Sequence, residues 1–175
     1  MKKSARKWEL IGIIFIVILG GILHFAFEWS GEWRPLALIA AVNESVWEHL
    51  KLGFWPALIY FLIEYGYIIK STSNFLIAKA IGIYLIPITM TALFYLYTAF
   101  VEDMLVADLI IFVLAIVIGQ LSSYKMLTTR TWPSWMNGLG LALLILLTIA
   151  FSTLTYYAPH LPIFKDPITG SYGIL

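Results

Sequence analysis

The chain has 175 residues, 61% of them apolar and 16% aromatic, with only 12% charged and a formal net charge of +1; its mean hydropathy is +0.90. Soluble domains carry about 25% charged residues, so this composition belongs to a bilayer. It excludes a disordered chain, which needs low hydrophobicity, and a nucleic-acid-binding protein, which needs a basic surface. Without cysteine, the chain also has no disulfide, thiolate metal ligand or thiol nucleophile.

A basic start, Met1 to Lys7, leads into an apolar run that continues to His24, Glu28 and Trp29 without a small-residue cleavage site. It reads as a retained signal anchor. Five stretches are long and apolar enough to span a hydrocarbon core of about 30 Å: residues 8–27, 50–69, 75–100, 104–121 and 139–157. Their continuous apolarity excludes a transmembrane barrel, whose strands alternate in polarity. The expected fold is all-α, a polytopic bundle of about five transmembrane helices forming one domain over residues 1–157, with a non-spanning tail over 158–175. The turns between spans are Lys70 to Asn74, Val101 to Asp103, and a longer loop from Ser122 to Asn137. Pro56 and Pro87 are expected to bend the second and third spans.

Orientation follows from basic residues, which cytoplasmic loops retain. An internal N-terminus gathers Lys2, Lys3, Arg6, Lys7, Lys70, Lys79, Lys125 and Arg130 inside and leaves Arg34, Lys51 and Lys165 outside, eight against three. The predicted protein is a multi-pass cell-membrane protein with its C-terminal tail outside. Trp29, Trp33, Trp132 and Trp135 then fall near the interfaces. The segment from Gly31 to Leu50 is an amphipathic or re-entrant element on the outer side, with Asn43 as the expected cap of a helix starting at Glu44.

All three histidines, His24, His49 and His160, lie on that outer side. His24 and Glu28 are four apart, as are Glu44 and Glu48, a spacing that puts each pair on one helical face. Imidazoles and carboxylates gathered together suit zinc or another borderline divalent cation. The candidate ligands are therefore His24, Glu28, His49 and His160, with Glu44 and Glu48 as ligand or general base; the competing reading gives these groups structural hydrogen bonds. Glu64 and Lys79 lie at similar depth on antiparallel neighbours and are expected to pair, or to form a proton or cation relay. Asp108 either joins the outer cluster or faces water. The tail, with turns at Asp166-Pro167 and Thr169-Gly170, either covers the outer mouth as a lid or packs at the interface.

Three blocks, Leu23-His-Phe-x-Phe-Glu-Trp-Ser-Gly31, Asn43-Glu-Ser-Val-Trp-Glu-His-Leu-Lys51 and Leu161-Pro-Ile-Phe-x-Asp-Pro-Ile-Thr-Gly-x-Tyr-Gly173, resemble a family of small, uncharacterised integral membrane proteins found mainly in Gram-positive bacteria. The resemblance implies a location and supplies no activity. Three functions compete. The first is a metal-dependent membrane hydrolase or transferase acting on a lipid-like or small-molecule ligand. The second is a small, oligomeric transporter or channel component using Glu64 and Asp108. The third is an accessory protein docking a partner through Trp29, Trp33, Trp47 and Trp55.

Overall fold

A computed structural model describes residues 2–69, 72–129 and 131–174; the turn residues Lys70 and Ser71 and the basic Arg130 lie outside the described residues. Five helices follow in order: α1 (Lys2–Trp29), α2 (Val46–Ile68), α3 (Phe75–Thr98), α4 (Leu105–Thr129) and α5 (Trp135–Thr153). Short 3-10 turns occur at Arg34–Leu38 and Pro162–Phe164. α1 packs on α2 and α4, and α3 packs on α2 and α4, closing a ring of four helices; α5 lies outside the ring against α3. Its last turn reaches α2, where Phe151 stacks on Phe54 with ring centroids 4.8 Å apart.

Four of these helices, α1, α3, α4 and α5, are long and apolar enough to cross a membrane. Their outward faces carry Ile14, Ile18 and Ile22 on α1, Leu109 and Val113 on α4, and Leu141, Ile145 and Ile149 on α5, all exposed. Such continuous apolar exposure would aggregate a soluble protein and matches hydrocarbon. This is a membrane protein. α2 is more polar because it carries Glu48, Lys51 and Glu64, yet all three are buried, and residues 50–57 of this helix are buried throughout. It is the most deeply buried helix of the ring, with its charges turned to protein.

Small residues set the spacing of the ring. A Cβ added at Gly82 of α3 would lie 2.8 Å from the Gly119 carbonyl oxygen of α4, and one at Gly119 would lie 2.6 Å from that of Gly82. The two backbones therefore touch through paired glycines, the small-residue packing that membrane helices use in place of a hydrophobic driving force. Pro56 sits inside α2, which leaves the Leu52 carbonyl without its usual helical donor. That oxygen faces Gly20 of α1, where a Cβ would come within 2.5 Å of it.

Two layers of buried charge mark the two ends of α2. Near the amino-terminal end of the bundle, each helix of the ring contributes one group: Glu9, Glu64, Lys79 and Ser123. Lys79 Nζ lies 2.5 Å from Glu64 Oε2 and 3.0 Å from Glu9 Oε2, so the expected Glu64–Lys79 pair is present and a second acid joins it from the diagonal helix. At the opposite end, Lys51 Nζ is 2.6 Å from Glu48 Oε2 and donates to the Ala37 carbonyl at 2.7 Å and to Thr155 Oγ1 at 2.9 Å.

Candidate functional site

The site is built from α1, the loop before α2 and the first turn of α2. Ser45 caps α2, its side chain accepting from the Glu48 N–H. The sequence Ser45-Val-Trp-Glu48 carries the S-x-x-E signature of a helix start; the expected start at Glu44 with an Asn43 cap is therefore displaced to Val46. Asn43 instead accepts from the Ser45 N–H at 2.9 Å and donates to the Gly173 carbonyl at 2.9 Å, tying the loop to the tail. Because Glu44 precedes the cap, it does not share a helical face with Glu48.

His24, Glu44 and His49 come together, with one ligand atom from each lying within 4.8 Å of the others. His49 Nε2 is 3.4 Å from Glu44 Oε2 and His24 Nε2 is 4.0 Å from Glu44 Oε1. The imidazole centroids are 5.2 Å apart. His49 Nδ1 lies 3.0 Å from the Ser45 carbonyl oxygen, which can only accept, so Nδ1 carries a proton and Nε2 is the nitrogen aimed at Glu44. A ligating histidine is oriented in this way, one nitrogen held by a backbone carbonyl and the other presented to a metal. The side chains of His24, His49 and Glu44 retain 27%, 35% and 44% of their exposure, so the group is open to a small ligand. The neighbouring His49 imidazole holds the Glu44 carboxyl below its usual range, against the opposing effect of partial burial.

The other expected site residues lie elsewhere. Glu28 is exposed, one turn beyond His24. His160 is also exposed and packs on Tyr172 at 4.5 Å between centroids. Neither belongs to the group. Glu48 points into the interior, where Lys51, Thr155 Oγ1 at 2.8 Å and the Val42 N–H at 3.1 Å occupy it. Asp108 receives the Tyr97 hydroxyl at 2.7 Å, as does Asp103 at 2.7 Å, and both acids lie close enough to His49 to feel its charge. Tyr97 holds the Asp103 carboxyl below its usual range.

The tail packs beside this group, and the contacts that fix it there were not legible in the sequence. Buried Asp166 accepts from Thr169 Oγ1 at 2.6 Å, from the Ile168 N–H at 3.0 Å and from the Glu44 N–H. Burial pushes its carboxyl up, but these donors outweigh burial and the net shift is downward. Trp47 stacks between Phe151 and Phe164, at 4.6 and 4.7 Å, locking the first turn of α2 against α5 and the tail. The Asp-Pro and Thr-Gly turns and the apolar residues Leu161, Ile163, Phe164 and Ile168 pointed to a packed tail, without its partners.

No curated protein and no solved structure matches the chain. A family of unknown function, DUF6512, matches residues 1–174. The chain belongs to that family, as a membrane protein of unknown activity whose sequence folds a His-Glu-His group at one end of a helical bundle.

Proposed function

We propose that this protein binds a divalent metal through His24, Glu44 and His49 and uses it as a membrane-embedded hydrolase or transferase, with the N-terminus cytoplasmic and the metal group on the outer side. The observation that carries the reading is the aim of the His49 Nε2 at a carboxylate that His24 Nε2 also faces. Two ligand atoms on a tetrahedral zinc, each about 2.0–2.1 Å from it, stand about 3.4 Å apart. The His49 to Glu44 separation is 3.4 Å, long for an N–H···O hydrogen bond but suited to two atoms sharing an ion. Rotation of the partly exposed His24 and Glu44 side chains would close the wider spacings.

Two histidines and one carboxylate are a hydrolytic zinc set: three protein ligands leave a position for water or substrate, whereas structural sites are closed by four. A bound ion would lower the pKa of its water and polarise a carbonyl or phosphoryl oxygen. The charge asymmetry of the sequence, eight basic residues against three, supports the orientation. The apolar faces around the group support a substrate that arrives from the bilayer, lipid-like in its chemistry.

Elemental analysis of protein purified in detergent without chelator tests this reading. A single zinc, cobalt or manganese ion per chain is expected, lost in His24→Ala, Glu44→Ala and His49→Ala. Metal-free protein that also gives no cobalt absorption spectrum on titration would sink it.

A further inference from the structure

The amino-terminal charge layer contains two acids and one base. Glu9, Glu64 and Lys79 are 1%, 0% and 1% exposed. If all three were ionised, the layer would hold a net charge of −1 inside an apolar bundle, and an uncompensated buried charge costs several kcal/mol. Among the described residues the groups facing Glu64 are Glu9 from α1, Tyr60 from its own helix and Lys79 from α3. α4 brings only the uncharged Ser123 and Gln120 to this layer. Tyr60 gives its hydroxyl proton to the Trp8 carbonyl at 2.5 Å.

The two carboxyls are served unequally. Glu9 accepts from Ser123 Oγ at 2.7 Å through one oxygen and from Lys79 at 3.0 Å through the other, as an ionised carboxylate does. Glu64 has Lys79 at 2.5 Å from Oε2, but its buried Oε1 has no hydrogen-bond partner. A metal cation would need about six oxygens, and Glu64 has the only carboxylate oxygen of the layer with neither a hydrogen bond nor an ion pair. A proton needs one. We propose that this layer is a proton-binding site in which Glu64 takes up and releases the proton that neutralises the bundle interior. The ligand is H⁺ itself, and its site joins all four helices of the ring, far from the His-Glu-His group and independent of it. Release of the proton exposes the full negative charge to the apolar core and loosens the packing of α1, α2, α3 and α4 at this level.

Infrared difference spectroscopy of the full chain in lipid vesicles tests the proposal, in an Asp108→Asn background that removes the acid pair at Tyr97. At neutral pH the protein is expected to show the carbonyl stretch of a buried protonated carboxyl, lost on alkalinisation. Glu64→Gln, an isostere of the neutral acid, abolishes the band and folds normally. Lys79→Gln leaves two acids to be neutralised and raises the band about twofold. Ser123→Ala, which strips a donor from Glu9, leaves its frequency in place. Absence of the band from the parent protein, or its persistence in Glu64→Gln, would overturn the proposal; a frequency shift in Ser123→Ala would overturn the assignment to Glu64.

Discussion

Lys51→Met separates two accounts of the charge pair behind the His-Glu-His group. The Lys51 and Glu48 side chains are 0% and 2% exposed and 2.6 Å apart, so removing the ammonium leaves Glu48 with the Val42 N–H and Thr155 hydroxyl but no counter-charge. The Ala37 carbonyl also loses its buried donor. Breaking a buried pair from one side costs about 3–5 kcal/mol. At about 2–4 °C per kcal/mol for a chain of this size, the apparent melting temperature in detergent falls by about 6–20 °C. The double variant Glu48→Gln with Lys51→Met keeps the packing and removes both charges. It is expected to recover at least half of that loss, because replacing a whole buried pair is often neutral or stabilising. Thermal unfolding followed by tryptophan fluorescence across the four proteins of this cycle gives the coupling. A double variant no more stable than Lys51→Met, or a single variant within 1 kcal/mol of the parent by order of magnitude, would refute a stranded carboxylate as the origin of the effect.

Other substitutions test the remaining geometry. Glu28→Gln and His160→Ala are expected to leave zinc affinity unchanged within about twofold by isothermal titration, since neither side chain belongs to the His-Glu-His group; a tenfold loss, about 1.4 kcal/mol, would reopen the choice of ligands. Asp166→Ala removes the acceptor for Thr169, Ile168 and the Glu44 N–H, costing about 0.5–1.5 kcal/mol of stability, since these donors belong to exposed residues that water can reach, and weakening metal binding by loosening the loop. On acidification, metal binding is expected to fail first, because ligation needs neutral imidazoles and these take up protons at higher pH than a carboxylate does. Glu44 is ionised well beyond that point. Its folded-state pKa is depressed by His49, so the stability from that contact is present above the usual Glu value and disappears only as pH falls through the lower folded value; zinc retention and melting temperature measured from pH 8 to 3 should therefore separate into two steps.

The helices were legible because each needs about 20 apolar residues, and such runs stand out against polar turns. Their ends were less so. α4 runs on to Thr129 beyond the apolar limit at Leu121, since Ser122 to Thr129 remain helical after their hydropathy falls. The Glu64–Lys79 pair followed from depth on antiparallel neighbours, whereas Glu9 joins it from a diagonal helix 70 positions away, a relation that no local periodicity encodes. His24 was visible as a polar interruption of an apolar helix, and His49 as part of the polar entry to the next. That Glu44 and not Glu28 stands between them depends on the path of residues 30–45, which is set by buried Ala37 and Ala40, the Ser45 cap and the docked tail. Lys51 reads in sequence as an outer surface charge; its burial depends on Thr155 arriving from beyond α5.

The placement of the two charge layers explains how so polar a helix can be buried in a membrane bundle. Glu48 and Glu64 are 16 residues apart on α2, or about 24 Å at 1.5 Å per residue, slightly less than the hydrocarbon thickness of about 30 Å. Two layers so spaced fit within that thickness. There, neighbouring helices supply partners that lipid cannot, and the core between the layers is left to Phe54, Ala57 and Tyr60. In one layer Lys51 consumes Glu48 completely and seals the bundle beneath His49. Charge used for sealing is unavailable for chemistry, so above that seal it is His24, His49 and the partly exposed Glu44 that stand together within reach of a small ligand.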